Sequence, residues 1–147
     1  SSSKDQDQVD TVYIGHVALN GSLALLSNFT VLDVGLDAGA APAFGFALAN
    51  IGDVDGNGAE DLAVGAPDDN SERGSVCIVR LSTAGQVLSS LRVGRDDMGF
   101  ASRGRAGRAL ARLDFQLATD LPGGVAVAVG VPRATDNGRT GAVVVAV

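Results

Sequence analysis

Tryptophan is absent from this 147-residue chain, and aromatic residues make up only 4% of it. A core without large rings must be filled by Ala, Val and Leu, which suits thin strands better than long packed helices. There is one cysteine, Cys77, so no internal disulfide and no cysteine-based metal site can form. It stands in the apolar run Val76-Cys77-Ile78-Val79, where a small buried thiol is expected. The single histidine, His16, offers no triad, and with one Tyr and one Met the usual catalytic side chains are scarce. The chain is expected not to be an enzyme. No apolar stretch reaches the ~18 residues of a membrane span, and the opening Ser1-Ser2-Ser3-Lys4-Asp5-Gln6-Asp7 does not read as a signal peptide. Positive charge is also short. Eleven Lys and Arg against seventeen Asp and Glu leave a net charge of −6, which repels phosphate backbones and argues against nucleic acid as a partner.

What the chain has instead is apolar content and glycine. With 46% hydrophobic and 19% charged residues it can bury too much surface to be a disordered polymer, and twenty glycines imply many tight turns.

The sequence also repeats. Phe44-Gly45-Phe46-Ala47-Leu48-Ala49-Asn50-Ile51 returns 62 residues later, degenerate but aligned, as Ala106-Gly107-Arg108-Ala109-Leu110-Ala111-Arg112-Leu113. Leu62-Ala63-Val64-Gly65-Ala66-Pro67 returns 65 residues later as Val127-Ala128-Val129-Gly130-Val131-Pro132, and Val12-Tyr13-Ile14 reappears 64 residues on as Val76-Cys77-Ile78. A period a little over sixty divides the chain into a partial unit with its connection (residues 1–42), a first full repeat (43–104) and a second, degenerate one (105–147).

Within one period the apolar runs fall at residues 44–49, 62–65, 76–81 and 87–93, each bounded by Gly, Pro, Asp or Asn. They are too short for the ~10–12 residues a helix needs, so strands are expected. Residues 105–113, locally favourable to helix, are read as strand through their alignment with residues 44–51. Four antiparallel strands per sixty-odd residues is the size of one propeller blade. The expected fold is therefore all-β: a partial β-propeller of two full four-stranded antiparallel blades and part of another.

Asp53-Val54-Asp55-Gly56-Asn57-Gly58-Ala59-Glu60-Asp61 is the most informative stretch. Side-chain oxygens stand at positions 1, 3, 5 and 9, and glycines at 4 and 6 let the chain curl so that they converge. Ala59, at position 7, can add its backbone carbonyl. Three carboxylates, an amide oxygen and a carbonyl suit a hard cation that takes six to eight oxygens, so calcium fits better than magnesium, and no His or Cys stands by to recruit zinc. The predicted ligands are Asp53, Asp55, Asn57, Ala59 and Asp61. A solvated hairpin loop is the alternative, but crowding like charges without a counter-ion is costly. An EF-hand is not: its twelfth position would be Val64, inside a strand.

Phe44-Gly45, the loop at residues 53–61 and Val64-Gly65-Ala66-Pro67 together resemble the FG-GAP repeat of integrin α-subunit β-propellers and related repeat proteins. The resemblance implies calcium in the nine-residue loop, held by those five residues, in a propeller whose partner-binding face lies elsewhere. In the second repeat the loop becomes Leu113-Asp114-Phe115-Gln116-Leu117-Ala118-Thr119-Asp120, without the alternating acids, so one metal is expected rather than two. Its Phe-Gly is eroded to Ala106-Gly107, which implies a less tightly packed blade.

Two and a fraction blades leave open sheet edges and faces, so the chain is expected to be part of a longer chain or an assembly, its partners being further blades or other proteins. Arginines cluster between Arg92 and Arg112, and Arg103, Arg105 and Arg108 are candidates for a partner-binding patch. Asn20-Gly21-Ser22 and Asn28-Phe29-Thr30 satisfy the N-glycosylation rule at Asn20 and Asn28. With calcium, they point to an extracellular or cell-surface setting. The functional expectation is a non-catalytic, calcium-stabilised module for protein–protein interaction, adhesion or structural assembly. A glycan-binding, lectin-like adhesin and an accessory propeller domain of a larger enzyme are the alternatives.

Overall fold

A computed structural model describes residues 9–37, 43–94, 96–99, 104–113, 125–136 and 139–146. Among the described residues, nine strands form three antiparallel sheets. Sheet I pairs β1 (Thr11–Val17) with β2 (Leu23–Thr30). Sheet II runs β3 (Ala47–Gly52), β4 (Asp61–Ala66), β5 (Ser75–Leu81) and β6 (Val87–Gly94) in sequence order. Sheet III runs β7 (Ala109–Leu113), β8 (Ala126–Asp136) and β9 (Arg139–Ala146). One helical turn, Asp69–Glu72, joins β4 to β5, with Asn70 and Ser71 in the left-handed region. No described helix is long and apolar enough to cross a membrane, a statement that does not extend to strands.

The chain is all-β, as its short apolar runs require. Only the first repeat has four strands; the second supplies three among the described residues, one fewer than expected. The first strand of the repeat also starts later than the apolar run. Residues 43–46 form a turn because Ala43 (φ 64°) and Gly45 (φ 87°) are both left-handed, and the ladder begins at Ala47. Arg105 (φ 50°) and Gly107 (φ 91°) reproduce that turn, and Gly107 N–H donates to Gly130 O as Gly45 N–H does to Gly65 O. The eroded motif has kept its backbone.

Pairing registers repeat with the same offsets. Leu48 lies opposite Val64 as Leu110 lies opposite Val129, and Val12 opposite Phe29 as Val76 opposite Val93. Because strand side chains alternate between faces, this shared register decides which residues meet.

Sheet II is covered on both faces. Val64, Ala66, Cys77, Val79 and Leu81 share one cluster with Val12, Phe29, Val31 and Val34 from sheet I and its flank. Ala63, Val76 and Ile78 share the other with Val127, Val129 and Val131 of sheet III. Strand β5, buried at six of its seven positions, thus buries alternate side chains in opposite directions, which is why Val76-Cys77-Ile78-Val79 reads as a continuous apolar run. Each fully buried Val or Ile there contributes roughly 1.5–3 kcal/mol.

Candidate metal centre

The hairpin between β3 and β4 carries the acidic loop on the rim of the doubly covered sheet. Gly56 (φ 77°) and Gly58 (φ 87°) take the left-handed backbone that turns the loop back on itself. The carboxylates of Asp53, Asp55 and Asp61 converge so that one oxygen from each lies within 4.8 Å of the others. Asp61 is fully buried, whereas Asp53 and Asp55 are exposed. The group therefore opens to solvent on one side and is anchored to the sheet on the other.

The loop's own donors hold this arrangement. Asp53 Oδ1 accepts from the backbone N–H of Gly56 (2.7 Å) and Asn57 (3.0 Å), and its Oδ2 accepts from Gly58 (2.8 Å). These bonds, Gly58's foremost, keep the Asp53 carboxyl below its ordinary pKa against an opposing desolvation effect. Asp55 accepts from Asn57 through both oxygens, at Oδ1 from the backbone N–H and at Oδ2 from Nδ2, each at 3.1 Å. Asn57 Oδ1 in turn accepts from Ala59 N–H at 2.7 Å. Four of the five expected ligands are thus tied by side-chain oxygens into one cluster, and Ala59, mostly buried, joins it through its N–H.

Asp61 has a second role that the sequence does not reveal. Its Oδ2 accepts from Val54 N–H (2.9 Å) inside the loop, while its Oδ1 accepts from Leu81 N–H (2.8 Å) at the end of β5, twenty residues away. Asn57 Nδ2 donates to Leu81 O at 2.9 Å. Both backbone groups of Leu81 are therefore satisfied by loop side chains, at the point where a bulge interrupts the β5–β6 ladder. At the base of the loop, Asn50 Nδ2 donates to Glu60 Oε2.

Three carboxylates this close repel one another, and N–H groups offset that only in part. Ligands on opposite sides of a cation bound at ~2.4 Å stand ~4.8 Å apart, so one coordination sphere can include an oxygen from each aspartate. The cluster could hold a metal ion.

The remaining expected sites are dispersed. Asn20 lies exposed in the β1–β2 turn, its Oδ1 accepting from Ser22 N–H and Oγ. Asn28 is exposed on β2, opposite Tyr13. Arg105 is turned inward against the segment after β4: its Nη2 donates to Glu72 Oε1 (2.7 Å) and its Nε lies 3.3 Å from Asp68 Oδ1. The Glu72 hydrogen bond raises the guanidinium's pKa further. Arg108 lies over the Phe46 ring, 5.2 Å from its centroid. Arg103 and the loop at residues 114–124 lie outside the described residues. Cys77 is buried between sheets I and II. Burial, and then the nearby Asp69 charge, push its thiol up to about 12 against the opposing effect of Arg92. No protein-family model matches the chain.

Proposed function

We propose that this chain is a non-catalytic, calcium-stabilised β-propeller module of the FG-GAP, integrin-like type, which serves protein–protein contact, adhesion or structural assembly outside the cell. The observation that carries the reading is the convergence of Asp53, Asp55 and Asp61 within 4.8 Å in a loop bonded to the rim of a four-stranded sheet. An all-oxygen set of mixed carboxylate and amide chemistry suits calcium, and so does a loop open on one side, where water can complete six to eight ligands. The propeller reading is supported by sheets that repeat in register and cover one another in succession. The extracellular reading draws support from the exposure of both Asn20 and Asn28.

Calcium would act by mass action on folding, since the unfolded chain lacks converged ligands. It would neutralise the aspartates while Asp61 carries the effect to the end of β5. Thermal melting with calcium and with chelator tests this. The native chain is expected to melt higher with calcium, and Asp53→Ala to melt at one temperature in both. A native chain indifferent to calcium would overturn the reading.

A further inference from the structure

Three asparagines in this chain precede glycine: Asn20, Asn57 and Asn137. The dipeptide is chemically reactive, because a glycine without a Cβ lets its own nitrogen approach the asparagine side-chain carbon. Attack of that nitrogen on Cγ closes a cyclic imide. Whether it occurs depends on how the fold holds the attacking N–H, the amide oxygen and the departing NH2 group. Asn137 lies outside the described residues. The other two are held in opposite ways.

At Asn57 all three groups are tied. Gly58 N–H donates to Asp53 Oδ2 (2.8 Å), Asn57 Oδ1 accepts from Ala59 N–H (2.7 Å), and Asn57 Nδ2 donates to Leu81 O (2.9 Å) and Asp55 Oδ2 (3.1 Å). Closing the imide there would pull the acidic loop off the end of β5. At Asn20, exposed at the tip of the β1–β2 hairpin, Nδ2 has no hydrogen-bond partner among the described residues. Its Oδ1 accepts from Ser22 N–H at 3.0 Å and from Ser22 Oγ at 2.7 Å. Both donors aim at the oxygen on which negative charge gathers as Cγ becomes tetrahedral, the arrangement of an oxyanion hole. Gly21 N–H is held by one bond, to Ala18 O at 2.8 Å, and a Cβ on Gly21 would meet no atom within 4 Å. Rotating this peptide breaks one hydrogen bond and displaces no packed side chain.

We propose that Asn20 is a site of spontaneous conversion to aspartate and isoaspartate, carried out by the turn itself with water as the only co-reactant. The Gly21 nitrogen bonds to Asn20 Cγ and gives up its proton, the Cγ–Nδ2 bond breaks, and Nδ2 leaves as ammonia with that proton. Water then adds to either carbonyl of the imide and reopens it. Opening at Cγ yields aspartate, and opening at the main-chain carbonyl yields isoaspartate, whose backbone runs through the side chain. Both products add negative charge to an already acidic chain, and isoaspartate also lengthens the backbone of the hairpin turn. A glycan on Nδ2 and the loss of Nδ2 exclude each other, so conversion removes Asn20 as a glycosylation acceptor. The inference rests on the hairpin alone and on neither the metal nor the propeller reading.

The experiment incubates the unglycosylated 147-residue chain in neutral buffer, folded and in denaturant. Mass spectrometry with residue-level fragmentation follows Asn20 and Asn57 for replacement of NH2 by OH, heavy-oxygen water marks the hydrolysis, and isoaspartyl methyltransferase counts isoaspartate. In denaturant both sites are expected to react at similar rates, since both precede glycine. In the folded chain Asn20 is expected to match or exceed its denatured rate, and Asn57 to fall at least about tenfold below its own, because its bonds to the loop and sheet must open first. Ser22→Ala removes one donor from this exposed turn and is expected to slow Asn20 by roughly two- to tenfold in the folded chain, the factor one hydrogen bond is worth. An Asn20 that reacts more slowly folded than denatured overturns the proposal. So does an Asn57 that keeps pace with Asn20 in the folded chain, or a folded Ser22→Ala chain that reacts at the native rate.

Discussion

The joint between sheets I and II and the joint between sheets II and III occupy equivalent places in the repeat but are built differently. In the first, Phe44 is buried and meets Phe29 edge to face, with ring centroids 6.3 Å apart, and its N–H is taken by the Asp10 carboxylate at 3.1 Å. In the second, Ala106 stands where Phe44 does and is 1% exposed, and backbone meets backbone. Ala106 N–H donates to Arg73 O (3.2 Å), Arg105 N–H to Glu72 O (3.1 Å), and Gly74 forms a parallel bridge with Ala106. The loss of a ring has thus not left a void. The interior stays close-packed because the sheets approach until main chain replaces side chain. That approach requires glycine: a Cβ on Gly65 would lie 2.0 Å from Gly107 O.

Breaking the first joint should cost most. Phe44→Ala removes a buried ring from the contact with Phe29 and is expected to lower stability by about 3–5 kcal/mol, read from denaturant unfolding. In the second joint the damaging change is the opposite one, adding volume. Gly65→Ala is expected to destabilise by about 3 kcal/mol, the upper end for overpacking, because the opposing atom is a backbone carbonyl that cannot swing away. Ala106→Phe should also destabilise, not restore the first joint's design.

Asp61 links the loop to the sheet. Asp61→Ala leaves the N–H groups of Val54 and Leu81 without their acceptor, at about 1–3 kcal/mol for each donor that stays buried. This loss should appear in chelator as well as in calcium, which separates Asp61 from Asp53 and Asp55.

Cys77 reports on the first joint from within. Its native thiol is raised to about 12, so the folded chain holds this proton more tightly than the unfolded one. Stability from this group is whole below the unfolded thiol's pKa, near 9, and is lost as pH rises from there toward 12. Unfolding midpoints should fall over that window, and less so in Cys77→Ala. The smallest effect is expected of Arg105→Ala. Its ion pairs with Glu72 and Asp68 are partly exposed and screened by solvent, and the change should lower the unfolding midpoint only slightly by the same measurement.

Much of this architecture is legible in the chain itself. The period near sixty, the strand positions and the convergence of the acidic loop follow from spacing, because alternation, turn residues and glycine conformations are local properties. The alignment of Ala106-Gly107 with Phe44-Gly45 predicts strand over residues 105–113 against their helical propensity, and strand forms over Ala109–Leu113, after a turn. The reading errs where the outcome depends on what packs opposite. A degenerate Phe-Gly suggests looser packing, yet Ala106 is closely covered.

The sequence alone determined that this chain forms short antiparallel strands, that they recur, and that Asp53, Asp55 and Asp61 of one loop can gather carboxylate oxygens at a point, since each depends on neighbours within a few positions. Only the tertiary structure decided that Asp61 and Asn57 close the end of a strand twenty or more residues away, and that two equivalent joints reach close packing by opposite means. Those outcomes depend on contacts between residues distant in sequence, and a residue's identity does not specify its partner across a sheet.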